Sequence, residues 1–325
     1  MKTVKLHFIG FWEGFSFEDN LFSNILKKRF HLVFDDIDPD FLICTPLCKP
    51  FEYMKYDCPR IMYTGEPLNA DFNAVDYFIG FDEISFGDRV CRFPIFLYDI
   101  ALYGGFAKQI TEDEARVFLK EKEYFCNYIY GHDTVHGVRE RSLEAISTYK
   151  RVECAGRHRN NMPDGLTFNM QSKIPFMEKC KFSIASESMP YPGFTTEKIS
   201  HAFQTHTIPI YFGDPNIGRY FNEDAFLNYS QFDSMEALVQ KVAEIDQNDD
   251  LYIHMLCQYR YNRMDYETHA ISALENFLIH IFEQDKEEAY RRPRFYQARI
   301  YESNLREYNR YYDSVPFRIM RKMGI

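Results

Sequence analysis

The strongest chemical signal in this sequence is a lysine one turn inside a helix that follows a strand-end loop. Phe182-Ser-Ile-Ala185 reads as a buried strand and delivers Ser186-Glu187-Ser188 at its carboxyl end. A loop with Pro190, Pro192 and Gly193 follows, and Phe194-Thr-Thr-Glu-Lys-Ile199 then opens a helix with Ile199, Ala202 and Phe203 on its buried face. In open α/β sheets ligands bind beyond the carboxyl ends of strands, and unpaired N–H groups at a helix start attract anions. Thr195 or Thr196 is a natural N-cap, which sets Lys198 where it could neutralise a diphosphate. The same residues also describe a surface helix with a charged first turn, and the local pattern does not choose between the two. A second candidate is Glu66, in Tyr63-Thr-Gly-Glu-Pro67 at the end of a predicted strand, where Gly65 lets the backbone turn and aim the side chain.

Other chemistries lack their motifs. There is no GxGxxG after a strand, no GxxxxGK[ST], no GxSxG and no HExxH. The eight cysteines are scattered without a CxxC pair, so free thiols are expected rather than zinc or redox sites. Asp36-Ile-Asp38-Pro-Asp40 contains overlapping DxD patterns, but Pro39 and its distance in sequence from residues 180–215 make it a solvated turn, and no metal site is expected.

These groups must be carried by alternating strands and helices. Val4–Ile9, His31–Phe34, Asp40–Ile43 and Arg60–Tyr63 read as strands, with a helix over Asn20–Arg29. A helix from Thr111 to Lys122 begins at a capping box of Thr111 with Glu114, and another spans about Val138 to Tyr149. The rhythm restarts at Val152, Phe182–Ala185 and Thr207–Tyr211, which predicts two mostly parallel α/β domains. The expected division is 1–135, 136–290 and a basic tail over 291–325.

The chain has 325 residues, 46% hydrophobic and 17% aromatic, enough for two cores. Its net charge of −10 argues against nucleic acid as a partner. Residues 290–325 nevertheless hold nine Lys/Arg against three acids. Tyr301, Leu305, Tyr308, Tyr312 and Val315 recur there at helical spacing, and Phe317, Ile319, Met320, Met323 and Ile325 interleave with Arg318, Arg321 and Lys322. Such a segment suits an anionic membrane surface, or else packs on the body or a second copy. Lys5, His7 and Glu13 interrupt the first apolar stretch, so a signal peptide is not expected and a cytoplasmic location, peripheral on the inner membrane face, is.

Several ordered blocks resemble the α-1,3/4-fucosyltransferases of glycosyltransferase family 10, in their bacterial (Helicobacter-type) branch. They are Phe182-x-Ile-Ala-x-Glu187-Ser188, Thr196-Glu-Lys-Ile199, Thr207-Ile-Pro-Ile-Tyr-x-Gly213, Arg60-Ile-Met-Tyr-Thr-Gly-Glu66, Phe72–Glu83, Ala155-Gly-Arg-His-Arg-Asn160 and Phe11-Trp-Glu-Gly14. The resemblance spans about residues 4–290. It implies a GT-B fold, two Rossmann-like domains facing across a cleft, with the acceptor on the first and GDP-fucose on the second. The implied reaction is inverting transfer of L-fucose to a hydroxyl, O3 foremost, of N-acetylglucosamine in a β-galactosyl-N-acetylglucosamine glycan.

By the same resemblance Glu66 is the general base, Lys198 and Arg139 grip the diphosphate, and Glu197 binds a donor hydroxyl. Arg141 is the nearby substitute for Arg139. No cofactor is implied beyond the donor, since Arg139 and Lys198 can supply the positive charge that a divalent metal would. Pro67, Ser188 and Phe194 stand where relatives carry Asn, Asn and Tyr, so the donor contacts of Ser188 and Phe194 are expected to be rewired or bridged by water. Glu187 is either structural or a ligand, and Arg159 and Asn160 are expected to line the cleft. A GT-B transferase of another nucleotide sugar and a catalytically silent glycan-binding relative are the alternative readings.

Overall fold

The computed structural model describes residues 1–103, 107–134, 137–163, 170–263, 266–312 and 314–323. It divides into two compact units, residues 1–102 with 268–325, and residues 103–267.

The first unit opens with β1 (Lys2–Ile9), α1 (Leu21–Leu26), β2 (Phe30–Phe34), β3 (Phe41–Cys44), β4 (Arg60–Tyr63), β5 (Tyr77–Gly80), β6 (Val90–Arg92) and α2 (Ile95–Tyr103). All six strands run parallel in the order β2-β1-β3-β4-β5-β6. Strands buried on both faces read as continuous apolar runs, and Phe41–Cys44 and Tyr77–Gly80 are buried throughout. Leu42, Cys44, Met54, Met62, Val75 and Phe78 form one core cluster.

The second unit contains α3 (Glu112–Glu121), β7 (Tyr124–Tyr128), α4 (Val138–Ser147), β8 (Val152–Cys154), α5 (Met170–Glu178), β9 (Cys180–Ser186), α6 (Glu197–Gln204), β10 (Ile208–Phe212), β11 (Leu227–Asn228), α7 (Met235–Asp246) and α8 (Asp249–Leu256). Its parallel sheet has the order β11-β10-β9-β7-β8. Thr111 and Glu114 form the expected capping box at the start of α3. All eight cysteines are free thiols, six of them buried.

His206 follows α6 with a φ of 50°, its ring stacked on Phe118 at 3.9 Å. Burial, aided by Arg260 and Lys122 and opposed by Glu114, lowers its pKa to about 4. The unfolded chain therefore takes up this proton first, and stability falls as pH drops from about 6.5 towards 4. Urea titrations should show on the order of 2 kcal/mol lost between pH 7 and 5, and His206→Asn, which tolerates the positive φ, should remove most of that slope.

The units change over at 102/103, not at the 135/136 read from sequence. The reason is that β7 pairs with β8 and β9, which draws α3 and β7 into the second unit. The chain then returns to the first unit through α9 (Tyr266–Glu283), whose Phe282 stacks on Phe41 at 4.5 Å.

Residues 291–325 are likewise not one separate tail. α10 (Gln297–Tyr312) docks on the first unit, with Leu305 against the core cluster, Tyr308 against Phe51, and Asn309 Nδ2 donating to the Pro50 carbonyl at 2.8 Å. Four of the nine basic residues are paired with acids there. Arg291 pairs with Asp88 at 2.7 Å, Arg292 with Asp76, Arg294 with Glu287 at 3.1 Å and Arg306 with Glu302 at 3.0 Å. Glu302 also accepts from the fully buried Arg60 at 2.6 Å. Burial works against the Glu302 charge, but Arg60, Arg292 and Arg306 hold its pKa at about 2. In α11 (Val315–Lys322), capped by Ser314, no residue is buried.

Removing one partner of a buried pair strands the other charge, at about 3–5 kcal/mol. Glu302→Ala should therefore lower the unfolding midpoint of the first unit sharply, whereas deletion of residues 315–325 should leave it nearly unchanged; differential scanning calorimetry of both variants checks this.

Candidate active site

Glu66 lies in the exposed loop that leaves β4 at its carboxyl end. The turn is built locally: Thr64 Oγ1 accepts from the Glu66 amide at 3.0 Å and donates to the Glu66 carbonyl at 3.1 Å. Gly65 is needed for close approach, because a Cβ there would stand 2.5 Å from Cδ1 of Ile95, the first residue of α2. The carboxylate is thus presented to solvent from a short, pinned loop.

In the second unit, β9 ends at Ser186 and the chain reaches α6 through Glu187–Thr196. Thr196 occupies the N-cap, but its side chain does not cap the helix. Its Oγ1 instead donates to Glu187 Oε2 at 2.7 Å and accepts from Lys198 Nζ at 2.7 Å. Lys198 Nζ also reaches Glu187 Oε2 at 3.1 Å, and the Thr196 amide donates to Glu187 Oε1 at 2.7 Å. Gly213 makes room for this carboxylate, since a Cβ there would lie 2.5 Å from Glu187 Cγ. Glu187 is therefore structural: buried, it fixes the Lys198 ammonium. Burial alone would lower the Lys198 pKa, yet Glu187 and Glu197 raise it, so the ammonium is charged at every physiological pH.

Arg139 stands in the first turn of α4, behind Gly137 with a φ of 63°. It is buried, with its guanidinium 4.4 Å from the Tyr130 ring centroid and Nη1 donating to the His132 carbonyl at 3.1 Å. Its Nε is a buried donor without a described partner. Lys198 and Arg139 both act on Tyr130: burial pushes the phenol up to about 12 while the two cations oppose that shift. Arg139 thus sits on the Tyr130 ring, and Lys198 and Tyr130 line one small cavity. Arg141 is on the same helix, two positions further on.

Tyr130 was not foreseen. Its hydroxyl donates to the Ile184 carbonyl at 2.7 Å and accepts from the Ser186 amide at 2.6 Å, stapling the end of β9. Lys173 is another addition from the structure. It meets His201 Nδ1 at 3.0 Å, and with Lys198 and His201 it holds the Glu197 carboxylate well below the usual range against the opposing effect of burial. Asn127, Tyr130, Lys173, Ser183, Glu197 and Lys198 line a cavity of about 40 Å³, room for water rather than for a nucleotide.

The remaining expectations divide. Ser188 is half-buried beside Glu187, and the Phe194 ring is buried within the loop, with its amide donating to the Tyr191 carbonyl at 3.0 Å. Arg159 lies in the loop that follows β8. It is half-exposed and pairs with Glu140 at 2.5 Å and Glu144 at 3.3 Å on α4. Asn160 holds its own loop through the Gly156 carbonyl at 3.0 Å and the Met162 amide at 3.1 Å. Both are spent on local acceptors and donors. Among the described residues no group of three His, Cys, Asp or Glu side chains is placed to hold a metal ion. In the Asp35–Asp40 turn, Asp35 caps the amides of Ile37 and Asp38 and Asp40 accepts from the Lys5 amide.

Residues 6–99 match the model of the alpha-(1,3)-fucosyltransferase FucT N-terminal domain, and residues 119–284 match that of glycosyltransferase family 10 (fucosyltransferase), C-terminal. The chain is 25% identical to alpha-(1,3)-fucosyltransferase FucT of Helicobacter pylori, with 88% of this chain and 66% of that relative covered, so it spans about two thirds of the relative's length. A shorter stretch, 26% of this chain and 24% of the relative, is 30% identical to the mouse 4-galactosyl-N-acetylglucosaminide 3-alpha-L-fucosyltransferase 9. The fold is similar to that of an α1,3-fucosyltransferase crystallised with GDP-fucose, with TM-score 0.66, 22% identity, and 86% of this chain and 91% of that chain covered. It is similar also to a crystal structure with GDP, with TM-score 0.67, 21% identity and coverage of 85% and 90%. With two α/β units of parallel strands, the fold is of the GT-B type, as in those fucosyltransferase structures.

Proposed function

Since the chain belongs to glycosyltransferase family 10, the fucosyltransferase family, we propose that it transfers L-fucose from GDP-fucose to O3 of N-acetylglucosamine in a β-galactosyl-N-acetylglucosamine glycan. The observation that carries this reading is that Arg139 lies over the Tyr130 ring while Lys198 lines the same small cavity as Tyr130, at the carboxyl end of the second sheet.

The chemistry follows from charge. Glu66 takes the proton of the acceptor hydroxyl as its oxygen attacks the fucose anomeric carbon, while the bond from that carbon to the GDP oxygen breaks. Negative charge then accumulates on the departing diphosphate. Lys198 is already anchored on Glu187, and Arg139 carries an unused Nε donor, so both meet this charge with little reorganisation. An arginine fork suits phosphate oxygens, and no divalent metal is required to supply positive charge. Glu197, held ionised by Lys198, Lys173 and His201, accepts a donor hydroxyl.

Exposed Val315, Ile319, Met320 and Met323 beside Arg318, Arg321 and Lys322 on α11 support peripheral docking on an anionic membrane surface, with a cytoplasmic enzyme on the inner face. Each basic residue contributes about 1 kcal/mol near such a surface. Vesicle binding that survives deletion of residues 315–325 contradicts the docking.

Incubation with GDP-fucose and a panel of N-acetyllactosamine and lacto-N-biose acceptors tests the activity. Fucosylated product is expected. Donor binding without transfer to any acceptor in the panel indicates a silent glycan-binding relative instead, and preference for UDP-sugars or GDP-mannose indicates a different transferase.

A further inference from the structure

The chain has a single tryptophan, and it is left half-uncovered. Trp12 follows β1 in the loop that leaves the carboxyl end of the first sheet, and 46% of it is exposed. Its ring is backed by Phe15 at 5.1 Å and Phe11 at 5.8 Å, which themselves stack at 4.1 Å. The loop is tied down where it starts, because Thr45 Oγ1, just beyond β3, donates to the Gly10 carbonyl. A large apolar ring held on a rigid aromatic base while facing water is costly unless something covers it.

Its position says what that is. Trp12 meets Tyr98 of α2 edge-on at 5.9 Å, and Tyr98 stacks on Tyr63, the last residue of β4, at 5.3 Å. Three residues beyond Tyr63 stands Glu66, whose neighbour Gly65 is pressed against Ile95 on the same helix. Ile95 and Tyr98 are one turn apart, about 5 Å of rise. Trp12 and the loop that carries Glu66 are therefore both held against α2, at the carboxyl end of the same parallel sheet.

We propose that Trp12 is the acceptor-binding platform, the aromatic face on which a sugar ring of the glycan lies while its neighbour presents a hydroxyl to Glu66. This rests on the role of Glu66 proposed above. A pyranose carries a face of C–H groups with small positive character, which suits the electron-rich face of an indole, while its hydroxyls remain at the rim for water and polar side chains. The platform determines acceptor affinity and leaves the donor site in the second unit untouched.

Because no other tryptophan is present, indole emission excited where tyrosine does not absorb reports on this site alone. Titration with N-acetyllactosamine and lacto-N-biose should give a saturable change in emission. Trp12→Ala should raise the acceptor KM by about three- to tenfold, the scale of losing one aromatic contact, with the KM for GDP-fucose unchanged. Trp12→Phe, which keeps a ring, should recover most of the acceptor affinity. The proposal is overturned if neither saccharide alters the emission, or if wild type transfers fucose and Trp12→Ala keeps its acceptor KM. Should wild type transfer nothing while saccharide still changes the emission, the platform stands and the assigned activity falls.

Discussion

Glu66→Gln is expected to lower fucose transfer by about 10²- to 10⁴-fold, the range typical of a positioned general base, while GDP binding stays at the wild-type level. The amide keeps the shape of the side chain but cannot take up the proton of the acceptor hydroxyl. Glu66 is exposed, and its turn is held by Thr64 and Gly65 rather than by its own carboxylate, so the substitution should not alter the unfolding midpoint. Steady-state rates with saturating GDP-fucose, paired with calorimetric GDP titration, separate the two effects. Comparable turnover in the variant would remove Glu66 from the chemistry.

The second large effect concerns Lys198, which is expected to serve the ligand and the fold at once. Lys198→Met should weaken GDP binding by about 10- to 100-fold, as expected for one charge-assisted hydrogen bond. It should also destabilise the second unit by about 3–5 kcal/mol, because Glu187 remains buried without its counter-charge. The two contributions can be pulled apart. Adding Glu187→Gln to Lys198→Met removes the stranded charge, so the double variant should regain most of the stability and none of the GDP affinity. A double variant that regains GDP affinity as well would mean that Lys198 acts only through the fold.

The sequence exposes the block from Phe182 to Ile199 because its signals are local. A short buried strand, a proline-containing loop and an amphipathic helix start are adjacent in the chain, and β9 and α6 lie where these signals place them. The partners of that block are not local. Tyr130 reaches Ser186 only because β7 and β9 are neighbours in the sheet, and no periodicity encodes strand order. The division at 102/103 was hidden for the same reason, since the allegiance of β7 is decided by its pairing with strands further along the chain.

Charge misled in a third way. The basic stretch after residue 290 looks like a free cationic tail, yet Arg60 and Glu302 are 242 positions apart and meet inside the first unit. Arg159 shows the reverse. The resemblance placed it along the cleft, and in the structure its guanidinium pairs with Glu140 and Glu144 on α4.

The most direct test of the central claim is the structure of the product. Wild-type protein, GDP-fucose and N-acetyllactosamine should yield a trisaccharide whose NMR spectrum shows fucose on O3 of N-acetylglucosamine, with the anomeric centre inverted relative to the donor. A retained anomeric configuration, or fucose released only to water, would contradict in-line attack by a hydroxyl that Glu66 deprotonates.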